Sequence, residues 1–370
     1  KEYRRQRQMC IRDSPYPYHH EIELKIESLT NLGVGVGRDQ GWVVQVPYAL
    51  PGEKIRARIY RNHKNYSSAD CVDVIDPSPE RISPKCTLFG ECGGCQYQHL
   101  DYGSQLEWKR NQVRDSFERI AEVEFKINET IASPKQYAYR SKLTPHFEKG
   151  NADRAFKIGF LKQGTRRSLI DVEQCPIATE GINQSLPDAR TAVSDKKSSL
   201  KKGGTLLLRD TLIGVVQDPN EFVQERVGEL TFQFRAGEFF QNNPFILPRL
   251  VDYVIKQSFP QKSFYLIDAY CGSGLFGLSA ASHFQKVIGI EISQEGFLGA
   301  QANAKLNKIS NAEFILGDAT SIFGSIDSQI QPCTLIIDPP RKGCSSEFLS
   351  QTIVFGPEFI VYISLSLIHI

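Results

Sequence analysis

The stretch SFYLIDAYCGSGLFGLSAA, Ser263–Ala281, decides the fold. Its first half is a short apolar run that reads as a buried strand, Gly272 and Gly274 make a turn, and the residues that follow read as a helix. Such a unit lets the backbone close on a ligand that sits before the helix and at the carboxyl ends of the strands. From Phe245 onward helix and strand patterns alternate, which predicts a parallel sheet with crossover helices. The C-terminal part is therefore read as a Rossmann-like α/β domain.

Upstream the rhythm is different. From Glu21 to Asp76, short alternating runs (IELKIESL, GWVVQVPYAL, KIRARIY, ADCVDVID) are punctuated by Gly33, Gly35, Gly37 and Pro51-Gly52, predicting a small antiparallel barrel of about five strands. Tyr102–Ile120 carries Leu106, Val113, Phe117 and Ile120 at helical spacing among charges and predicts an amphipathic helix. Residues 137–240 read as mostly strands, with a loop at Lys196–Gly204. No internal repeat is visible.

The glycine turn admits two cofactors. GSGLFG, Gly272–Gly277, satisfies the dinucleotide pattern G-x-G-x-x-G, so a nicotinamide dehydrogenase has to be weighed. Asp268, just before the turn, suits recognition of the amino group of a methionine and would repel a pyrophosphate. Glu291 closes the next strand in VIGIEIS, where a carboxylate accepts ribose hydroxyls in either case. IIDPPRKG decides between them: Asp338 followed by two prolines makes a rigid loop over the site, for which a dehydrogenase has no use. Methyltransferases of exocyclic amines place an aromatic residue after the prolines to stack an extruded base. Here that position is Arg341, which points to another methyl acceptor in nucleic acid.

Cys86, Cys92 and Cys95 lie in CTLFGECGGCQYQ, spaced C-x5-C-x2-C across Gly93-Gly94. The spacing departs from zinc ribbons and fits iron–sulfur ligation, which wants four thiolates with one often arriving from elsewhere. Cys175 in DVEQCPIAT is the candidate fourth. The alternative, cysteine as a small buried hydrophobe, is assigned to Cys71, Cys271, Cys333 and Cys344.

At 370 residues the length predicts two or three domains, and no window is apolar enough to span a bilayer. Nine cysteines in a chain of this size argue for a reducing intracellular compartment: cytoplasm, nucleus or mitochondrion. Lys1–Ser14 and the final SLSLIHI resemble translated sequencing-adaptor sequence, so residues 1–20 and 365–370 are set apart as a non-native leader and tail. Those first fourteen residues carry a net +3 of the overall +2, leaving −1 for the rest, so global charge says nothing about nucleic acid. Local clusters are Arg56, Arg58, Arg61, His63 and Lys64; Lys162, Arg166 and Arg167; and Lys196, Lys197, Lys201 and Lys202.

In order, a barrel resembling the TRAM domain, the C-x5-C-x2-C run with GGCQYQ, a β-rich insert ending in GEFFQNN, DAYCGSGLFG, GIEIS and DPPRKG resemble the RNA uracil-C5 methyltransferase family. Their wording is closest to its fungal-type tRNA enzymes. The resemblance runs from Glu21 to Ser364. It implies a TRAM barrel over 21–80 that binds RNA, a central iron–sulfur and RNA-binding domain over 81–244, and a methyltransferase domain over 245–364. It implies a 4Fe-4S cluster on Cys86, Cys92, Cys95 and Cys175. Gln241, Tyr270, Glu291 and Asp338 would contact S-adenosylmethionine, with Leu275 and Asp318 lining the same pocket. The substrate implied is tRNA at its T-loop, with ribosomal RNA as the alternative, for an enzyme that is a monomer at full length.

In that family a cysteine thiolate adds to carbon 6 of uracil so that carbon 5 can take the methyl, and a glutamate further on removes the carbon 5 proton. The cysteine follows a run like VYIS; here VYIS, Val361–Ser364, is followed by Leu365, and no such glutamate follows. The chain is therefore expected to be an inactive fragment, truncated before both catalytic groups, with the strand near Phe359–Ser364 left as an exposed apolar edge. Cys344 is a weak substitute nucleophile. The rival readings are a non-catalytic RNA-binding protein or tRNA chaperone, and the dehydrogenase.

Overall fold

The computed structural model describes residues 14–148, 156–196, 200, 202–258, 264–318, 323, 326, 330, 332–340 and 342–364. The expectations for the leader, for Lys197 and Lys201, for Arg341 and for Leu365 lie outside the described residues. Two compact units emerge: one takes residues up to 132 together with Gly159–Asp171, the other Ser133–Ile158 together with residues from 172 onward. Among the described residues no helix is long and apolar enough to cross a membrane.

The first unit begins with β1 (Glu21–Leu29), β2 (Val34–Asp39), β3 (Trp42–Pro47), β4 (Lys54–Asn62) and β5 (Tyr66–Asp76). They close into a barrel in the order β1-β2-β3-β5-β4. Every pairing is antiparallel except β3 with β5. Strict alternation explains the closure: in β1, Ile22, Leu24 and Ile26 point inward while the charged residues between them face out. They meet Val44, Val46, Ile55, Ala57 and Ile59 in one apolar interior. Gly37 is required by proximity, since a Cβ there would collide with the Lys25 carbonyl oxygen.

After the cysteine loop, helix α1 (Tyr102–Arg119) starts at Asp101, whose carboxylate accepts the Ser104 N–H. Its deepest residue is the amide Gln112, where the spacing predicted an apolar stripe. Gln112 donates to the Thr30 carbonyl and the Tyr97 hydroxyl, both at 2.8 Å, and Ile120 stands in solvent.

The second unit opens with β6 (Lys142–Leu143) and β7 (His146–Phe147). The chain then crosses between the units in β8 (Ile158–Leu161), which pairs with β9 (Leu169–Asp171). Next comes helix α2 (Glu180–Ser194), which the strand-rich reading of 137–240 missed. Pro187 and the polar residues around it hide the helical signal, yet Ile182, Leu186 and Ala189 form one buried face. The short strands β10 (Gly204–Thr205), β11 (Leu208–Thr211) and β12 (Gly214–Val216) lead to a hairpin of β13 (Phe222–Val227) and β14 (Leu230–Arg235).

Helix α3 (Leu247–Ser258) precedes β15 (Tyr265–Ala269), α4 (Leu275–Ala280), β16 (Lys286–Glu291), α5 (Gln294–Leu306), β17 (Ala312–Leu316), β18 (Cys333–Ile337), α6 (Ser346–Phe355) and β19 (Phe359–Tyr362). The five strands form an all-parallel sheet in the order β17-β16-β15-β18-β19. Successive residues alternate between two covered faces, which is why these strands read as continuous apolar runs. Leu266, Val287 and Ile336 pack with α3, α4 and the β13–β14 hairpin. Ile267, Ile288 and Leu335 pack beneath Phe348 of α6. Asn303 of α5 and Asn307, which caps its C-terminus, bind the backbone of Gln233 and Thr231, fastening the hairpin to the sheet layer.

Candidate active site

Parallel register sets the site. Ala269 lies level with Ile290 and Ile337, and Ile337 with Tyr362, so the residues that follow emerge together at the carboxyl ends of the strands. Tyr270, Glu291 and Asp338 arrive there from three different strands.

The turn after β15 is folded tightly. Tyr270, Gly272 and Gly274 all have left-handed backbone, at φ +64°, +54° and +88°. The Gly274 N–H closes the turn on the Cys271 carbonyl at 2.8 Å. A Cβ on Gly272 would meet nothing within 4 Å, so its backbone conformation, not crowding, calls for glycine. Gly277, the third glycine of the motif, answers to Asp268: a Cβ there would lie 2.9 Å from the carboxylate. Asp268 Oδ2 accepts the Gly277 N–H at 2.7 Å, while Oδ1 is buried with no partner. Burial pushes this carboxyl up to about 7.

Over the turn lies a cavity of about 460 Å³. It is lined by Phe239, Phe240 and Gln241, by Tyr270–Ser273 and Leu275, and by Asp338–Pro340, Tyr362 and Ser364. Burial pushes Asp338 up to about 6 and Tyr270 up to about 12. Four of the residues expected at the cofactor, Gln241, Tyr270, Leu275 and Asp338, thus face one space. Glu291 stands behind the turn, with Oε2 accepting the Gly272 N–H and Oε1 the Ser293 N–H, each at 2.8 Å. Asp318 follows β17, exposed and close enough to Tyr270 to act on its ionisation.

The sequence reading passed over the tethers of the 236–241 strap. Arg209, 2% exposed, donates from Nε to the Ala236 carbonyl and from Nη2 to the Glu238 carbonyl, both at 2.8 Å. Lys142 Nζ reaches the carbonyls of Gly237 and Glu238 at 2.8 and 3.0 Å. Burial beside these cations pulls Lys142 down to about 8, and burial pushes Glu225 up to about 7. Tyr362 and Ser364 were also missed as lining residues, although the carboxyl end of any strand in a parallel sheet signals such a place.

Of the four cysteines set aside as core, Cys271 and Cys333 are buried, whereas Cys71 and Cys344 are only half-buried. Cys344 meets the hydroxyls of Tyr270 and Tyr362, and burial raises its thiol above the usual range. It is therefore a neutral thiol at pH 7, which is a poor nucleophile.

Cys86, Cys92 and Cys95 share one loop in the first unit. The Cys86 N–H is accepted by Gln98 Oε1 at 3.0 Å, the Cys92 N–H by the Leu88 carbonyl at 2.9 Å, and the Gly93 N–H by the Leu161 carbonyl at 2.9 Å. A Cβ on Gly93 would stand 3.1 Å from that carbonyl oxygen, so glycine permits the β8–β9 hairpin to approach. Cys92 lies within electrostatic reach of Cys86, and Tyr48 within reach of both Cys92 and Cys95. Among the described residues no group of three donors is arranged to hold a metal ion. Cys175 belongs to the second unit, where Asn183 Oδ1 accepts its N–H at 2.9 Å. The donor set suits an iron–sulfur centre in chemical kind, without a closed ligand geometry among these residues.

The exposed basic clusters are partly engaged. Arg56 pairs with Asp73, and His63 stacks on Tyr66 at 4.2 Å between centroids. Lys162, Arg166 and Arg167 project from the β8–β9 turn into solvent.

Comparison with known proteins places this geometry. Residues 215–367 match the tRNA (uracil-5-)-methyltransferase family and residues 20–72 the TRAM domain. The tRNA (uracil(54)-C(5))-methyltransferase of Schizosaccharomyces pombe is 41% identical over 95% of this chain and 70% of that protein. The enzyme of the same name from Saccharomyces cerevisiae is 32% identical over 94% of this chain and 67% of that protein. The crystal structure of Pyrococcus abyssi tRNA (uracil-54, C5)-methyltransferase in complex with S-adenosyl-L-homocysteine has the same fold. It superposes with a TM-score of 0.69 at 21% identity, over 93% of this chain and 90% of that one.

Proposed function

The chain belongs to the tRNA (uracil-5-)-methyltransferase family, and on that premise we propose that it binds S-adenosylmethionine in the cavity over Tyr270 for methylation of uridine carbon 5 at position 54 of tRNA. The observation that carries this is the convergence of Gln241, Tyr270, Leu275 and Asp338 on one space of about 460 Å³, a volume within the range for cofactor-sized ligands. Family membership also removes the dehydrogenase reading.

When bound, S-adenosylmethionine supplies an electrophilic methyl group. Glu291 would accept the ribose hydroxyls, Asp268 would face the amino group from behind the turn, and Leu275 and Asp318 would line the pocket. Asp338 and the two prolines would shape the wall against which the uracil is presented. The barrel and the exposed cations of the β8–β9 turn would hold the RNA backbone. A 4Fe-4S cluster on Cys86, Cys92 and Cys95, with Cys175 as fourth ligand, is supported by the C-x5-C-x2-C spacing and by the chemical kind of the donors.

Carbon 5 of uracil needs activation by a thiolate at carbon 6. The family resemblance puts that thiolate immediately after Ser364, which lines the cavity; here the position is Leu365. This one residue favours a second reading, in which the chain binds cofactor and tRNA without transferring the methyl group.

Calorimetry with S-adenosylmethionine, paired with radiolabelled methyl transfer to unmodified tRNA, tests both readings. Binding with transfer to uridine 54 supports the enzyme, and binding without transfer the RNA-binding protein. Absence of binding would remove the cofactor assignment.

A further inference from the structure

Three buried polar atoms beside the cysteine loop have no hydrogen-bond partner: the Tyr48 hydroxyl and both ring nitrogens of His99. His99 is 1% exposed. Buried polar groups are almost always paired, so a cluster of orphans calls for an explanation such as an ion or cofactor beside them. These orphans surround Phe89, a residue of the loop itself. Its ring centroid lies 5.1 Å from that of Tyr48 and 5.1 Å from that of His99, and the two outer rings are 6.0 Å apart. Phe89 donates its N–H to the Cys86 carbonyl and is bridge-paired with Cys92.

Tyr48 is also held in place at a conformational cost. Its backbone is left-handed, at φ +64°, a conformation that a non-glycine residue holds only when its surroundings impose it. Arg81 Nη2 donates to the Tyr48 carbonyl at 2.8 Å and to Glu53 Oε2 at 2.8 Å. Glu53 is fully buried and takes the N–H groups of Leu50 and Ser78 as well. A buried carboxylate thus fixes a guanidinium, the guanidinium fixes one carbonyl, and the ring on that residue packs edge-on against Phe89 of the cysteine loop with its hydroxyl unsatisfied.

We infer that the Tyr48 hydroxyl is a hydrogen-bond donor to a sulfur of the centre carried by Cys86, Cys92 and Cys95, with His99 forming the wall beside it. The inference rests on the iron–sulfur reading of that loop. Hydrogen bonds to sulfur favour the more negative, reduced state and so raise the reduction potential. The barrel, through the β3–β4 connection that carries Tyr48, would thereby set the electronic state of the centre.

Tyr48→Phe removes the hydroxyl and keeps the ring. The test compares anaerobically purified wild-type and variant protein by iron and sulfide content, by spectroelectrochemical midpoint potential, and by exchangeable-proton hyperfine coupling in the reduced state. Expected are equal iron contents, a more negative potential in the variant, and loss of one exchangeable coupling. Equal iron with an unchanged potential overturns the inference alone. Wild-type protein without iron overturns the cluster reading and this inference with it. Should Tyr48→Phe lose its iron, Tyr48→His, which returns a donor, is expected to recover it; failure to recover would also overturn the inference.

Discussion

Glu291 Oε2 accepts the N–H of Gly272 at 2.8 Å, so the carboxylate that closes β16 also braces the turn after β15. One side chain therefore serves two neighbouring strands, and its removal acts on both the turn and the ligand above it. Glu291→Ala is expected to weaken S-adenosylmethionine binding by about 2 kcal/mol, roughly thirty-fold, since a hydrogen bond to a charged group is worth about 1.5–3 kcal/mol. Calorimetry measures it, and an unchanged affinity would remove Glu291 from the site.

Asp268 makes stability depend on pH. Its folded value of about 7 lies above the ordinary 3.8, so the native state holds a proton that the unfolded chain has lost. Stability should then fall as pH rises from about 4 to about 7 and level off above, by at most about 4 kcal/mol. Asp338, raised to about 6, adds a drop of the same sign over a narrower window. Asp268→Asn should flatten the dependence of the melting temperature on pH; parallel curves for the two proteins would disprove the protonated state.

Leu365 stands where the family reading requires a thiol. Binding of S-adenosylmethionine is expected on either reading, and absence of methyl transfer to uridine 54 would favour the non-catalytic one. Transfer measured with labelled cofactor would force a search for another nucleophile, beginning with Cys344.

Arg209→Met should loosen the strap that carries Phe240 and Gln241. It leaves the buried Ala236 carbonyl without this donor, a loss of about 1–3 kcal/mol for a group left unsatisfied, while the Glu238 carbonyl keeps Lys142. Chemical denaturation should show a destabilisation of about 1–3 kcal/mol, together with weaker cofactor binding. Wild-type stability in this variant would mean that the strap holds without its tether.

Among the described residues β19 is the last strand of the sheet on the β18 side, and Ile360 is exposed on it, as are Ile353 and Val354 on α6. Exposed apolar edges promote association. Ile360→Lys should reduce self-association seen by light scattering; an equal size distribution would clear this edge of the role.

What the sequence revealed was what local backbone geometry dictates. The glycine turn, the Asp-Pro-Pro loop and the alternating barrel strands each carry their signal within about ten residues. What it concealed joins distant segments: Arg209 to Ala236, Lys142 to Gly237, and Asn303 to both Gln233 and Ser273. None of these contacts has a period or a spacing. Helix α2 was obscured for another reason, because Pro187 interrupts the residues that would otherwise announce it. Tyr48 reads as an ordinary strand-end aromatic until its backbone conformation and its unpaired hydroxyl are seen together.

The closure of β1-β2-β3-β5-β4 has a consequence for nucleic acid. The parallel β3–β5 pairing, Val43–Gln45 against Tyr66–Ser68, completes the ring, so these strands spend their backbone groups on each other over that stretch and cannot offer them to a donor strand. The outward side chains Arg58 and Arg61 are exposed on this barrel and would meet phosphates one by one. Each such meeting releases a counterion. Affinity contributed by the barrel should accordingly decline linearly with the logarithm of salt concentration, and each basic side chain removed should flatten that slope by about one cation.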